Sequence, residues 1–190
     1  MNIEVRPLTP GLWEDFEALM GPKGGAEGCW CMLWRVPASV YKDGRGEPNR
    51  QAMRARVLEG GRPPGLIAYL DRVPAGWVSI APRTEFPRME NSRIVGPVDT
   101  RPVWSVTCFF IKPGSRGRGV ATALLAAACG FAAQHGAQVV EGYPVDPHGE
   151  RYANAFAWTG LMRLFEKAGF AEVARRSEKR PIMRKEVGHG

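Results

Sequence analysis

The stretch from Val103 to Val145 constrains the fold most, because it holds a strand, a glycine-rich turn, a helix and a second strand in close succession. VWSVTCFFI (103–111) is almost continuously apolar, which is typical of a strand buried on both faces. From Val120 the apolar residues keep helical spacing as far as Gly136, and AQVVEGYPV (137–145) is the next strand candidate. Two strands that bracket a helix form a βαβ unit and run parallel. The sequence therefore predicts a parallel strand pair at the centre of a sheet.

The remaining elements predict antiparallel strands and helices around that pair. NIEVRPL (2–8) alternates apolar and polar residues as a strand does, and a helix fits from about Pro48 to Glu59. LIAYL (66–70) and AGWVSIA (75–81) lie too close in sequence for a parallel crossover, and FAEVARRSEKRPIMRKEV (170–187) reads as a closing antiparallel pair. We expect one α/β (α+β) domain over residues 1–190, with a mixed central sheet of about six to seven strands flanked by helices.

Charge and hydropathy narrow the class of protein. The chain has 190 residues and a formal net charge of +7, but its basic residues are scattered, so a dedicated nucleic-acid-binding arm is not expected. The net positive charge is compatible with an anionic partner. A general enrichment in arginine that serves no particular function explains the charge equally well. No apolar run is long enough to cross a membrane, and the first residues lack the pattern of a secretion signal. We therefore expect a cytoplasmic protein.

Four cysteines bear on metal binding and redox chemistry. Cys29 and Cys31 form a C-x-C pair, but no second pair of Cys or His follows at zinc-finger spacing. We expect reduced thiols and no bound metal.

The turn KPGSRGRGVAT (112–122) has the composition of an anion site. Glycines at a strand-to-helix turn leave main-chain N–H groups accessible, and the helix N-terminus adds positive potential. A P-loop is excluded because Val120 stands where its lysine belongs. Gly117 and Gly119 fit a dinucleotide-binding fingerprint, but Thr122 replaces the third glycine.

A third pattern fits the turn better. Arg116 to Ala121 reads R-x-x-G-x-A directly after an apolar strand, and LFEKAGF (164–170) follows downstream. Together these segments resemble the acetyl-CoA loop and the closing βα unit of the GNAT N-acetyltransferase superfamily. The resemblance implies a GNAT-like sheet whose central parallel strands splay apart, with an acetyl-CoA-binding core over about 103–170 and an acceptor side in the N-terminal half. It also implies acetyl-CoA as acyl donor, bound by pyrophosphate contacts in the turn and pantetheine contacts along the strand: Phe109, Phe110, Ile111, Arg116, Gly117, Arg118, Gly119, Val120, Ala121 and Thr122.

The acid–base groups that are frequent in this superfamily are missing here. Phe165 stands at the usual tyrosine position, Ser105 at a frequent glutamate position, and Trp158 at a common asparagine position. Glu141 and Tyr143 share one face of the strand next to 103–111, so they are the candidate catalytic residues. Glu141 could relay a proton from the amine, and Tyr143 could give a proton to the departing thiolate. Both residues also have a structural alternative. Glu141 could equally be a carboxylate that pairs with an arginine, and Tyr143 could be a core aromatic residue whose hydroxyl is hydrogen-bonded.

Aromatic residues are the candidates for the acceptor pocket. We expect Trp30, Trp34 and Trp104 to contribute walls for an apolar or planar acceptor, although core packing explains tryptophans as well. Glu27 and Glu85 are candidates for attracting a cationic amine. The resemblance implies transfer of acetyl to the amine of a small molecule or peptide by direct attack in a ternary complex. The alternative is a non-catalytic CoA-binding sensor or partner module, and the sequence leaves open whether the chain forms a homodimer.

Overall fold

A computed structural model describes residues 2–148 and 158–188 of the chain. In this part of the chain, seven strands form a single sheet of order β1-β2-β3-β4-β5-β7-β6. The strands are β1 (Ile3–Pro7), β2 (Gly65–Leu70), β3 (Val73–Pro82), β4 (Trp104–Ile111), β5 (Val139–Gly142), β6 (Ala171–Arg175) and β7 (Pro181–Glu186). Only β4 and β5 pair in parallel among them, which confirms the mixed sheet and its central parallel pair.

Helices cover both faces of this sheet. They are α1 (Trp13–Met20), α2 (Ala38–Asp43), α3 (Glu47–Leu58), α4 (Pro87–Glu90), α5 (Val120–Gln134) and α6 (Met162–Lys167). Strand alternation explains the two-sided core: Val78 and Ile80 on β3 pack with α5, whereas Trp77 faces the opposite layer with Phe16 of α1. Both β2 and the middle of β3 are therefore buried throughout. Among the described residues, no helix is both long enough and apolar enough to cross a membrane.

The pairing of β4 with β5 is short, and this opens the sheet. The parallel register joins Trp104 to Val140 and ends with Val106 opposite Gly142. Strand β4 continues to Ile111 alongside β3, while β5 has already ended. A gap therefore opens beside the second half of β4, on the side that faces away from β3.

The segment CWCMLWR (29–35) forms turns rather than a strand or a helix. Trp30 and Cys31 take positive φ values of 47° and 59°, which a regular strand or helix does not contain. The N–H of Trp30 donates to the carbonyl of Gly24, so the segment folds back on the loop that follows α1. This layer lies on the α1 face of the sheet.

Candidate functional site

The turn between β4 and α5 has the backbone conformation and the charge of an anion-binding site. Gly119 caps α5 in the left-handed conformation with φ of 82°, and Gly117 has φ of 71°. A β-carbon on Gly117 would meet open space, so backbone conformation rather than crowding favours glycine there. The first turn of α5 carries no acidic residue, and Arg116 and Arg118 flank it on the exposed side. The N-terminal amides of a helix lack intrahelical partners, so these amides, the helix dipole and the Arg116 guanidinium favour a bound anion here.

A cleft of about 560 Å³ runs from this turn along the open edge of β4. Its opposite wall comes from the segment before α6 and from α6 itself, chiefly Trp158, Gly160, Leu161 and Leu164. Nine of the ten residues that the resemblance implied for the acyl donor line this cleft: Phe109, Phe110, Ile111, Arg116, Gly117, Gly119, Val120, Ala121 and Thr122. The tenth, Arg118, lies beside Asp71 at 4.0 Å instead.

Main-chain donors of β4 point into the cleft. The N–H of Lys112 donates to Ala75 on the β3 side, whereas the N–H of Phe109 donates to the carbonyl of Trp158 across the gap, at 2.6 Å. Because successive N–H groups of a strand alternate in direction, Ile111 presents its N–H to the same side as Phe109. An extended ligand along this edge can pair with β4 as an added strand does.

Phe165 fills the point where the two strands part. Its ring is fully buried and packs edge-on against Phe109 and Phe170, with centroid separations of 6.2 Å and 5.0 Å. A β-carbon on Gly142 would lie 2.1 Å from this ring, so the last paired residue of β5 has to be glycine. At the position where the superfamily often has a tyrosine, this chain thus places the apolar ring of Phe165 between the two strands.

Glu141 and Tyr143 lie in a buried polar network. Both oxygens of Glu141 accept from guanidiniums, Oε1 from Arg83 at 2.9 Å and Oε2 from Arg184 at 2.6 Å. The hydroxyl of Tyr143 donates to Oε1 at 2.5 Å, accepts from Arg83 at 2.8 Å, and lies 2.8 Å from Oγ of Ser105. Glu141 has no exposed surface and Tyr143 has almost none.

This network favours the structural alternative for both residues. The two guanidiniums and the Tyr143 hydroxyl occupy the carboxylate oxygens of Glu141, so its lone pairs are not available to a substrate amine. Burial and the neighbouring charge of Glu141 raise the pKa of Tyr143 well above its usual value, so the phenol stays protonated and its O–H donates to Glu141. The geometry therefore gives no support to the interpretation of Glu141 and Tyr143 as proton carriers.

A second pocket, of about 210 Å³, lies on the α1 face of the sheet beside the cleft. Trp158 borders both spaces, and Thr107, the first β4 residue past the last pair with β5, lies in this pocket. Trp34 faces Trp158 with a ring separation of 6.2 Å, and the ring of Tyr143 forms part of the wall. Of the three tryptophans predicted for the acceptor side, Trp34 lies in this pocket.

The other two tryptophans lie elsewhere. Trp104 begins β4 and packs at the opposite end of the strand, against Phe131 at 6.0 Å and below the guanidinium of Arg62 at 4.8 Å. Trp30 is buried in the layer of α1, where its ring stacks on Trp13. Neither Trp30 nor Trp104 lines the cleft or the second pocket, so the acceptor role expected for them stays a prediction that the geometry does not favour.

The acidic residues expected to attract a cation are engaged by arginines. Glu85 pairs with Arg56 and Arg62 at 2.8 Å and 2.9 Å and also with the buried Arg35. Glu27 pairs with Arg45. Sequence reasoning also missed Arg83 and Arg180: Arg83 secures the buried network, and Arg180 lies in the second pocket. No local sequence pattern distinguishes these two arginines from the many others.

A mixed seven-stranded sheet with a splayed parallel pair beside a glycine-capped helix is the fold of acetyltransferases of the GNAT type. The model of the acetyltransferase (GNAT) family matches residues 30–170 of this chain. The chain therefore belongs to that family. No curated protein sequence matches it at a significant level.

Solved structures agree with the fold at low sequence identity. PaiA N-acetyltransferase from Thermoplasma acidophilum, solved with coenzyme A, is 14% identical with a TM-score of 0.53, and the match covers 98% of this chain and 99% of that one. YncA from Salmonella typhimurium, solved with its cofactor acetyl-CoA, is 15% identical with a TM-score of 0.54, covering 97% and 94%. A GNAT-family acetyltransferase from Listeria monocytogenes is 11% identical with a TM-score of 0.57, covering 97% and 95%.

Proposed function

We propose that this protein is an N-acetyltransferase that moves the acetyl group of acetyl-CoA to an amine by direct attack in a ternary complex. The observation that carries the proposal is the single cleft that joins the α5 N-terminus, the open edge of β4 and the splay point. These are the three features needed to hold a diphosphate, an extended amide-containing arm and a thioester in one line. The structures of PaiA and YncA, solved with CoA and acetyl-CoA, support the assignment by analogy of fold.

The described residues fit the parts of acetyl-CoA. Main-chain N–H groups from Gly119 to Thr122 would hold the diphosphate, and Arg116 adds a cation at the entry. The N–H of Ile111 would pair with the pantetheine arm, and Leu161 and Leu164 provide an apolar wall. We place Arg118 at the rim, because its guanidinium lies beside Asp71.

The chemistry then depends on positioning. In direct transfer, the amine nitrogen bonds to the acetyl carbon while the carbon–sulfur bond breaks, and negative charge develops on the carbonyl oxygen. The N–H of Phe109, at the splay point, is the donor placed to stabilise that charge once Trp158 releases it. The network of Arg83, Glu141 and Tyr143 fixes the floor of the second pocket rather than carrying protons.

Calorimetric titration with acetyl-CoA tests the first part of the proposal. Gly119→Glu adds a side chain and a negative charge at the turn and should weaken binding at least about tenfold. Gly136→Glu is the matched control, since Gly136 follows α5 at its other end, also has positive φ (83°) and open space, and should leave binding unchanged. Equal binding by the wild type and Gly119→Glu would refute the assignment of the turn.

A second candidate is a CoA-binding module without catalysis. Two observations favour this candidate. The ring of Phe165 has no group that exchanges a proton, and Glu141 and Tyr143 are buried and hydrogen-bonded to other residues rather than to the cleft. Release of CoA thiol from acetyl-CoA, measured with and without amines, separates the two. Tight acetyl-CoA binding with no amine-dependent thiol release would establish the module and exclude the enzyme.

A further inference from the structure

Three of the four cysteines meet on the α1 face of the sheet. Two lie in the turn segment 29–35, which packs with the α1 layer, and Cys108 lies on β4. Cys108 pairs in register with Ser79 of β3, and paired residues of antiparallel strands point to the same face. Trp77, two residues earlier on β3, donates its indole N–H to Sγ of Cys31 at 3.0 Å. The turn segment therefore holds the Cys31 thiol over the strand pair that carries Cys108.

A second contact fastens the turn segment to the same place. Arg35, at the end of the segment, donates to Oγ of Ser79 at 3.2 Å, and Ser79 is the residue opposite Cys108. Trp30 and Cys31 have consecutive positive φ values of 47° and 59°, which residues other than glycine rarely adopt. Such a backbone persists only where surrounding contacts hold it. The position of Cys31 is thus determined by contacts with β3 as well as by its own turn.

The thiols of Cys31 and Cys108 are hydrogen-bonded to each other. This bond, the Trp77 N–H and the charge of Arg35 together lower the pKa of Cys31, against the opposing effect of burial. Arg35 also pairs with Glu85 at 3.3 Å, and its charge is the smallest of these contributions. The same thiol–thiol bond and burial raise the pKa of Cys108 well above its usual value. A thiol that ionises readily therefore lies beside one that keeps its proton.

The other two cysteines lack this arrangement. Burial and the neighbouring Cys31 raise the pKa of Cys29, whose thiol is hydrogen-bonded with Tyr41. Burial raises the pKa of Cys129 to about 11, and this residue lies on α5, on the opposite face of the sheet. Because the thiolate is the form that attacks an oxidant, Cys31 is the sulfur that we expect to react first.

We propose that Cys31 and Cys108 form an oxidisable thiol pair, which hydrogen peroxide converts reversibly into an intramolecular disulfide. The proposal does not depend on the acetyltransferase function, because neither cysteine is among the described residues that line the cleft or the second pocket. Neither cysteine is fully buried, so a small oxidant has access to the pair.

The reaction has two steps. The Cys31 thiolate first attacks a peroxide oxygen: an S–O bond forms, the O–O bond breaks, and the departing hydroxide takes up a proton and becomes water. The sulfur of Cys108 then attacks the sulfenic acid on Cys31: an S–S bond forms, the S–O bond breaks, and the Cys108 proton leaves with the hydroxide as a second water. The two sulfurs lose two electrons, which reduce one hydrogen peroxide to two waters.

The turn segment can supply the movement that bond formation needs. A disulfide brings its sulfurs to about 2.05 Å, closer than two hydrogen-bonded thiols lie. Irregular segments move more readily than strands inside a sheet, so Cys31 would approach Cys108 rather than the reverse. The bond would then tie the turn segment to β4 one residue before Phe109, whose N–H faces the gap.

Peptide mapping of the full chain tests the proposal. The protein is reduced, freed of reductant, treated with hydrogen peroxide at low protein concentration, then denatured, alkylated and digested with trypsin without reductant. Trypsin yields residues 24–35, which hold Cys29 and Cys31, and residues 94–116, which hold Cys108. We expect these two peptides to be joined, with two of the four thiols lost and all four recovered after dithiothreitol.

Serine variants identify the sulfurs. Cys29→Ser and Cys129→Ser are the matched controls and should keep the joined peptides, since neither thiol belongs to the pair. Cys108→Ser should lose the linkage and accumulate a sulfenic acid on Cys31 that dimedone traps. Cys31→Ser should lose the linkage and give no dimedone adduct on Cys108, whose thiol keeps its proton.

Three results would overturn the pair. A disulfide within 24–35 would mean that Cys29 rather than Cys108 is the partner of Cys31. Disulfide-linked dimers on a non-reducing gel would show that the bond forms between chains. Four free thiols in the folded wild type after peroxide treatment would refute the oxidisable pair outright. Each of these results leaves acetyl-CoA binding, and hence the proposed function, to its own calorimetric test.

Discussion

The main-chain N–H of Phe109 donates a hydrogen bond of 2.6 Å to the carbonyl oxygen of Trp158 across the gap between β4 and β5. The bond lies beyond the last strand pair, so it ties the open edge of β4 to the segment before α6. Trp158 also borders both the cleft and the second pocket. A ligand that needs this N–H must displace the carbonyl, so we expect Trp158 to move when the cleft is filled.

Trp158 should report acyl-donor binding. We expect acetyl-CoA to change the tryptophan fluorescence of the wild type, because the Trp158 indole lines the cleft. Trp158→Phe should lose most of that change. Trp13→Phe is the control, since Trp13 packs on Trp30 in the α1 layer and should retain the change. An undiminished signal in Trp158→Phe would contradict the placement of this segment.

Glu141 should matter for stability far more than a surface carboxylate does. Glu141→Gln leaves Arg83 and Arg184 facing a neutral group in a buried site, and we expect a loss of about 3 kcal/mol in the free energy of unfolding. Glu186→Gln breaks an exposed pair with Arg101 and should cost much less, because solvent screens the pair. Denaturant titrations at neutral pH measure both values. Similar losses in the two variants would show that the network is not buried as described.

Tyr143 should make stability sensitive to alkali. Its pKa is raised in the folded protein above the unfolded value of about 10, so its contribution is complete below that pH and is lost as pH rises toward the folded pKa. The free energy of unfolding should then fall by up to about 1.4 kcal/mol per pH unit from this one group.

Tyr143→Phe isolates this effect. The variant should be less stable at neutral pH by about 1–3 kcal/mol, because Arg83 and Glu141 lose a hydrogen-bond partner. Its stability should decline less steeply than that of the wild type above pH 10, since other titrating groups are common to both. Parallel curves for the two proteins would show that the phenol does not titrate abnormally.

The sequence alone predicts those parts of the fold whose residues are adjacent or close along the chain. The apolar run of β4, the glycine turn and the helical spacing of α5 all lie within one continuous segment, and the structure places them as expected. The β2–β3 hairpin follows from its short connection, in which Asp71 and Arg72 take positive φ. The glycine turn was recognisable because it needs particular residues at adjacent positions.

The network and the second pocket could not be predicted in this way. Arg83 reaches Glu141 from 58 positions away and Arg184 reaches it from 43, and no local pattern encodes such a meeting. Alternation along β4 assigns side chains to faces but does not reveal that pairing with β5 stops at Val106. Trp104, expected as a wall of the acceptor pocket, lies at the paired end of the strand.

Phe165→Tyr tests whether a hydroxyl at the usual tyrosine position of the superfamily would increase the activity. The ring is fully buried against Phe109 and Phe170, with Gly142 and Gly160 beneath it. A hydroxyl added there loses its hydration, so we expect a loss of about 1–3 kcal/mol in the free energy of unfolding and no gain in the rate of thiol release. The control is Phe131→Tyr, on α5 at the far end of the sheet, which should leave the rate unchanged. An increase in kcat for Phe165→Tyr alone would mean that the new hydroxyl reaches the departing sulfur, and that the aromatic ring at the splay point moves when acetyl-CoA binds.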